Sequence, residues 1–191
     1  MIEKLIDIDK DFFLFLNSKH SSMLDPLMLV LSSYELWWTI FIIFGICIWF
    51  NGKKENRIKT VLIYSGSVLF ATAFTNVLKM LVERPRPIHE ANWTGVIHNI
   101  EKYSSASSFF SSHAATTFCI AVFVFLYFKN KKYLGYLALV WALGVSYSRI
   151  YVGKHYPLDV LVGILFGCLV GYLGYKLVVR IQKKRAETKG L

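Results

Sequence analysis

Apolar runs too long and too frequent for a soluble core constrain this 191-residue chain most, 55% of which is hydrophobic. Four of them, 58–78, 111–128, 133–151 and 157–179, each match the roughly 20 residues a helix needs to cross a ~30 Å hydrocarbon layer. A fifth lies within 24–50. As one helix it would be about 40 Å long at 1.5 Å per residue, too long to stand upright, and it contains Asp25, Pro26 and Glu35. The reading is a short lead-in over 24–34 and a span over 35–50. Because every backbone group must be satisfied within the hydrocarbon, such runs fold as helices. The expected fold is all-α, a polytopic transmembrane bundle of about five to six spans forming a single domain over 1–191.

Residues 1–22 follow another pattern. Leu5, Ile8, Phe12, Phe15 and Leu16 recur at helical spacing, with Glu3, Lys4, Asp7, Lys10 and Asp11 elsewhere around the helix. This predicts an amphipathic helix lying in the membrane interface. It lacks the compact apolar core and small-residue cleavage site of a signal peptide.

The net charge of +10 is placed in a way that argues for topology rather than nucleic acid. Lys53, Lys54, Arg57 and Lys59 fill one connector, and Lys129, Lys131 and Lys132 another. Lys176, Arg180, Lys183, Lys184, Arg185 and Lys189 mark the last span's end and the tail over 180–191. In a serpentine chain these connectors share one side, and the positive-inside rule makes it cytoplasmic. Tyr34, Trp37, Trp38, Tyr147, Tyr151 and Tyr156 fall near the opposite ends of the spans, and Trp49, Tyr127, Tyr133, Tyr136 and Tyr175 near the basic ends, as two aromatic belts would. Cys47, Cys119 and Cys168 have no metal-site spacing and read as inert buried thiols.

Three polar clusters collect on the outer face. The first is Lys79 to Pro87, with Lys79 and Arg86 seven residues apart; Pro85 and Pro87 turn the chain out of the helix near Arg84. Arginine presents a planar fork to phosphate oxygens and lysine a point charge. Snorkelling cations are the bland alternative, and three on the disfavoured side weaken it. The second is Ser107 to Thr116. Ser111 and Ser112 have an ordinary reading as helix caps. His113, in the first turn of a span, is costly unless it faces a polar cavity. The third is Ser148 to Asp159, between two apolar runs. His155 and Asp159 are four apart on one helical face, and Pro157 suits a helix start. That places His155 at a helix N-terminus, where anions are favoured.

Together the three clusters resemble the signature of the type 2 phosphatidic acid phosphatase superfamily. Lys79 is followed after six residues by Arg86-Pro87, then Ser111-Ser112-His113, then Ser148-Arg149 with His155 and Asp159. The middle part departs: the family has Pro-Ser-Gly-His where this chain has Phe110-Ser111-Ser112-His113. The resemblance implies a metal-independent lipid phosphatase working through a phosphohistidine, with no cofactor. In that reading His155 is the nucleophile, Asp159 orients it and His113 is the general acid. Lys79, Arg86, Arg149, Ser111 and Ser112 bind the phosphate.

The signature does not reach Arg84, which is open to holding the connector or touching a head group, nor His89 and His98, which read as solvated. The connector 88–110, with Trp93 and Tyr103, is long enough to act as a lid that selects head groups. Gly163, Gly167 and Gly171, four apart, suit close helix packing in one chain or, alternatively, dimerisation. The expected activity is removal of a terminal phosphate from a lipid phosphate or diphosphate at the outer face of a cell inner membrane. Undecaprenyl diphosphate comes first, ahead of phosphatidylglycerol phosphate, phosphatidic acid and lipid A phosphates. The competing classes are a non-hydrolytic lipid or phosphate transporter and a haloperoxidase-like vanadate site.

Overall fold

The computed structural model describes residues 2–101 and 107–188. Seven α-helices are α1 (Ile2–Asn17), α2 (Asp25–Ser32), α3 (Tyr34–Asn51), α4 (Arg57–Leu81), α5 (Ser112–Tyr127), α6 (Lys132–Tyr151) and α7 (Pro157–Thr188). Local chemistry sets several of their ends. Ser33 ends the lead-in and caps α3, its hydroxyl accepting the N–H of Leu36 at 3.3 Å. Ser111 caps α5 in the same way, through Ala114. α4 stops at Leu81, four residues short of Pro85, and α7 starts on Pro157.

The predicted spans correspond one to one with α3 to α7. Helices α3, α4 and α7 are long and apolar enough to cross a membrane by themselves. α5 has 16 residues, and α6 carries Ser146, Ser148 and Arg149 in its last turns. The chain is an all-helical, multi-pass membrane bundle. The basic tail differs from expectation: α7 runs on to Thr188, and Arg185 donates to the Glu55 carbonyl at 2.6 Å, tying the tail to the α3–α4 connector. Lys189 lies outside the described residues.

α5 is the axis of the bundle. It packs against α4, α6 and α7 and is buried along almost its whole length. The glycine repeat lets α7 lie against it. A methyl group on Gly163 would stand 2.7 Å from the Ser111 carbonyl oxygen, and one on Gly171 would stand 2.5 Å from that of Cys119. The repeat therefore serves packing within the chain.

Two expectations change. α1 packs with Asp9, Phe13 and Asn17 buried on the protein, while Leu5, Ile8, Phe12 and Phe15 remain exposed along the opposite side. It is thus anchored to the bundle by polar residues rather than only lying on an interface. The outer aromatic belt is kept only in part, with Tyr34 and Trp38 exposed. Tyr151 and Tyr156 are buried and Trp37 nearly so, because these rings pack the site and its supports.

Gly171→Val should lower the thermal midpoint in detergent, at a cost of about 1–3 kcal/mol from overpacking. Gly66→Ala, where nothing lies within 4 Å, should leave it unchanged or slightly raised. Thermal unfolding of the two variants checks the contrast.

Candidate active site

The outer cluster residues converge because three chain segments meet at one end of the bundle. The end of α4 brings Lys79 and the following loop brings Arg86. The first turn of α5 brings Ser112 and His113, while the end of α6 and its junction with α7 bring Arg149 and His155. All six line one cavity of about 320 Å³. Its other walls come from Tyr34, Trp37 and Trp38 of α3, from Leu69, Thr72 and Asn76 of α4, and from Thr116. The lining is therefore cationic in part and aromatic, apolar and uncharged polar in the rest, with the Tyr34 ring 4.8 Å from that of His113.

Backbone design holds the cations in place. Gly153, at φ +77°, turns the chain between α6 and α7, and a side chain there would crowd Ile88. That turn lets Lys154 and His155 fold back, both N–H groups donating to the Arg149 carbonyl, at 3.0 and 3.1 Å. Arg86 in turn donates to the Lys154 carbonyl at 3.1 Å. Arg149 donates to the carbonyl and hydroxyl of Ser32 and to Glu101, 3.2 Å away. Burial, with Arg149 beside it, lowers the Arg86 pKa to about 10. Burial together with Arg86, Lys79 and Arg149 holds His155 well below the ordinary histidine value.

Several polar atoms here have no hydrogen-bond partner among the described residues: Ser112 Oγ, His113 Nε2, Arg149 Nε and His155 Nδ1. Unsatisfied buried groups are costly. His155 Nδ1 faces Asp159 at 3.8 Å, which leaves those of Ser112, His113 and Arg149 beside a cavity whose cations suit an oxyanion.

Asp159 and Ser111 stand apart from the cavity wall. Asp159 Oδ2 lies 3.8 Å from His155 Nδ1, beyond hydrogen-bond reach, and accepts the Tyr156 N–H at 3.0 Å. Ser111 spends its hydroxyl on the α5 cap, while its N–H donates to the Asp159 carbonyl at 3.0 Å. Ser112, where the resembled family has glycine, lines the cavity, and its hydroxyl is buried without a partner among the described residues.

The long connector behaves differently from a free lid. Trp93 stacks on Phe13 at 5.4 Å, Glu90 pairs with Lys10 at 2.9 Å, and the His98 backbone binds Asn17. His89 is exposed. His98 is not solvated as expected: it pairs with Asp25 at 2.8 Å and stacks on His20. Trp93 and His98 do not line the cavity, and Tyr103 lies outside the described residues. Among the described connector residues, Glu101 reaches the cations; it also approaches Lys154 at 3.8 Å and accepts from Ser32 at 2.7 Å. Sequence reasoning missed Glu101 and the cavity role of the α3 aromatics, which fall in no spaced motif, and passed over Lys154, which sits inside the Ser148–Asp159 cluster. Burial, with Arg149 and Arg86 nearby, lowers the Lys154 pKa to about 8, against the opposing pull of Glu101.

Since the Glu101 carboxylate occupies cations an oxyanion needs, Glu101→Gln should tighten orthovanadate binding a few-fold, on the order of 1 kcal/mol for a partly exposed pair. Isothermal titration of the purified protein checks the direction.

The PAP2 superfamily profile matches residues 60–183. The lipid A 4'-phosphatase of Bacteroides thetaiotaomicron is 31% identical over 189 residues, covering 95% of this chain and 84% of that protein. The undecaprenyl-diphosphatase BcrC of Bacillus subtilis is 31% identical over 160 residues, covering 83% and 77%. Among solved structures, Aquifex aeolicus LpxE aligns with a TM-score of 0.69 at 25% identity, over 87% of this chain and 93% of that one. A PAP2-type phosphatidylglycerolphosphate phosphatase from Bacillus subtilis aligns at 0.66 and 23% identity, over 95% and 87%, a likeness of fold.

Proposed function

This chain belongs to the PAP2 superfamily of membrane lipid phosphatases, and on that footing we propose that it hydrolyses the terminal phosphate of undecaprenyl diphosphate. The observation that carries the reaction class is the cavity itself, which Lys79, Arg86, Arg149, Ser112 and two histidines share with the aromatic and apolar side chains of α3 and α4. A lipid reaching the site sideways from the bilayer would lay its chain along Tyr34, Trp37, Trp38 and Leu69 and its phosphate among the cations. The likeness to BcrC supports a diphosphate substrate. A second reading, a lipid A phosphate, is favoured by the Bacteroides relative, which covers more of the chain at equal identity.

In the proposed mechanism His155 attacks phosphorus through a neutral ring nitrogen. The phosphorus–oxygen bond to the lipid breaks as the nitrogen–phosphorus bond forms, and His113 gives its proton to the leaving oxygen. Water then attacks the phosphohistidine, with His113 taking a proton back, and inorganic phosphate departs. Lys79, Arg86 and Arg149 stabilise the charge on the transferring group, and Ser112 adds a hydroxyl donor. Asp159 holds a negative charge beside His155 as the imidazole gains positive charge. Ser111 acts through the α5 cap and so sets the position of Ser112 and His113. No step draws on a metal. A transporter needs only the cations; the opposed histidines favour hydrolysis.

The basic connectors, which lie at the other end of the spans, support a site on the outer side of the membrane. We place the active site outside and the C-terminus in the cytoplasm. A reporter fused after Lys189 should read cytoplasmic, and one inserted near Asn92 external.

The decisive assay is phosphate release in EDTA from undecaprenyl diphosphate, lipid A, phosphatidylglycerol phosphate and phosphatidic acid. Undecaprenyl diphosphate should turn over fastest, and His155→Ala and His113→Ala should each lose at least about 10³-fold in kcat. Full turnover in both variants would refute the mechanism. The direction of the His155 shift adds a pH result. Its folded pKa lies below its unfolded one, so the neutral nucleophile persists as pH falls through about 6.5. The acid limb of kcat/KM should accordingly lie below pH 6.5. Stability carries the same sign: the contribution of neutral His155 is full above that pH and declines below it, as the unfolded chain takes up the proton.

A further inference from the structure

Behind the cavity, a second set of charges closes around Asp159. Arg84, in the loop after α4, reaches two carboxylates with one guanidinium. Its Nη1 donates to Asp159 Oδ1 at 2.6 Å and its Nη2 to Asp9 Oδ2 at 2.7 Å. The other Asp9 oxygen accepts the Leu158 N–H at 2.8 Å, in the first turn of α7. The guanidinium lies over the Tyr156 ring, 4.0 Å from its centroid. The Arg84 carbonyl accepts the Ser108 N–H at 2.8 Å, just ahead of α5. Asp9 is 7% exposed and Asp159 not at all.

A clamp that only fastened α1 to the bundle would need Asp9, Arg84 and Leu158. It would not need the carboxylate that faces His155. The arrangement spends one arm of the fork on Asp159 Oδ1, leaving Oδ2 to the Tyr156 N–H and the His155 ring. Fixing one oxygen fixes the other, because a carboxylate is planar and rigid. Lysine cannot reproduce this, since a single ammonium does not span two carboxylates in fork geometry.

We propose that Arg84, itself held by Asp9, is a positioning residue that sets the orientation and charge of Asp159 and, through it, the ring of His155. The inference rests on the assignment of His155 as nucleophile. It brings α1 into the active-site architecture, although Asp9 lies outside the family match over 60–183. The charged and titratable groups facing Asp159 are Arg84 from the α4 loop, Lys79 and Arg86 from the cavity side, and His155 and Tyr156 from the α6–α7 junction. Asp9 acts on it at one remove, through Arg84.

The test uses the full chain in detergent with undecaprenyl diphosphate in EDTA, scoring kcat, KM and the acid limb of kcat/KM. Arg84→Gln should lower kcat about 10²-fold, as misplacement of a reacting group does, and change KM less than a few-fold. Its acid limb should move to higher pH, because Asp159 and His155 lose a nearby positive charge and hold a proton longer. Arg84→Lys should return the limb towards wild type and recover only part of kcat. Asp9→Ala should lower kcat about tenfold while its limb moves to lower pH, Arg84 then serving Asp159 alone. Wild-type kcat and limb in Arg84→Gln would overturn the proposal. So would a uniform loss across variants, tracking the thermal midpoint, with no movement of the limb. Should Arg84→Gln not fold, a limb moved to lower pH in Asp9→Ala together with a lowered kcat in Arg84→Lys supports the proposal, and an unmoved limb in Asp9→Ala overturns it. His155→Ala run alongside separates the two layers. Its activity would sink the assigned nucleophile, whereas its inactivity beside an unaffected Arg84→Gln would sink only the positioning role.

Discussion

The structure depends on gathering positive charge at one end of a membrane bundle. Lys79, Arg86 and Arg149 line the same cavity wall, and like charges at such range repel more strongly as water is withdrawn. The protein manages this with backbone carbonyls and with carboxylates set outside the cavity. Ser32 and Lys154 offer carbonyls to Arg149 and Arg86, and Glu101 sits at the rim. Asp159 and Asp9 lie behind, joined by Arg84. The front of the cavity is left for an oxyanion to neutralise, which is the electrostatic preorganisation phosphoryl transfer requires.

That demand shapes the fold. α5 must reach the cations with its N-terminus, so it is short, buried and capped by Ser111. α7 must start beside it, which the glycine face permits by letting the two helices nearly touch. The turn at Gly153 reverses the chain within a few residues, bringing Arg149 and His155 to the same cavity. Even α1, remote in sequence, is seated by Asp9 and Asn17, both directed at backbone groups near this turn.

Much of this was legible in the sequence, for physical reasons that can be named. Spans are readable because hydrocarbon thickness fixes helix length, and the residues that meet at the cavity because costly polar groups stood at span ends. The double role of serines was only half readable. Ser111 and Ser112 are equivalent in composition, yet one caps and the other faces the cavity, a difference set by helix phase. Tyr151 and Tyr156 looked like belt residues because an interface and a packed junction both favour tyrosine. Tyr151 instead donates to Asp25 and Tyr156 packs under Arg84. Glu101 and Asp9 were unreadable: their partners lie 48 and 75 positions away, and no local pattern encodes such pairings.

The central claim is that the paired histidines make this cavity an enzyme's rather than a carrier's. Rapid acid-free quenching of His113→Ala with substrate labelled in its terminal phosphate tests it directly, followed by peptide mass spectrometry. The account predicts a base-stable, acid-labile phosphoryl group on His155 that is absent from His155→Ala. Phosphate release with no label on His155, or label on another residue, would contradict it.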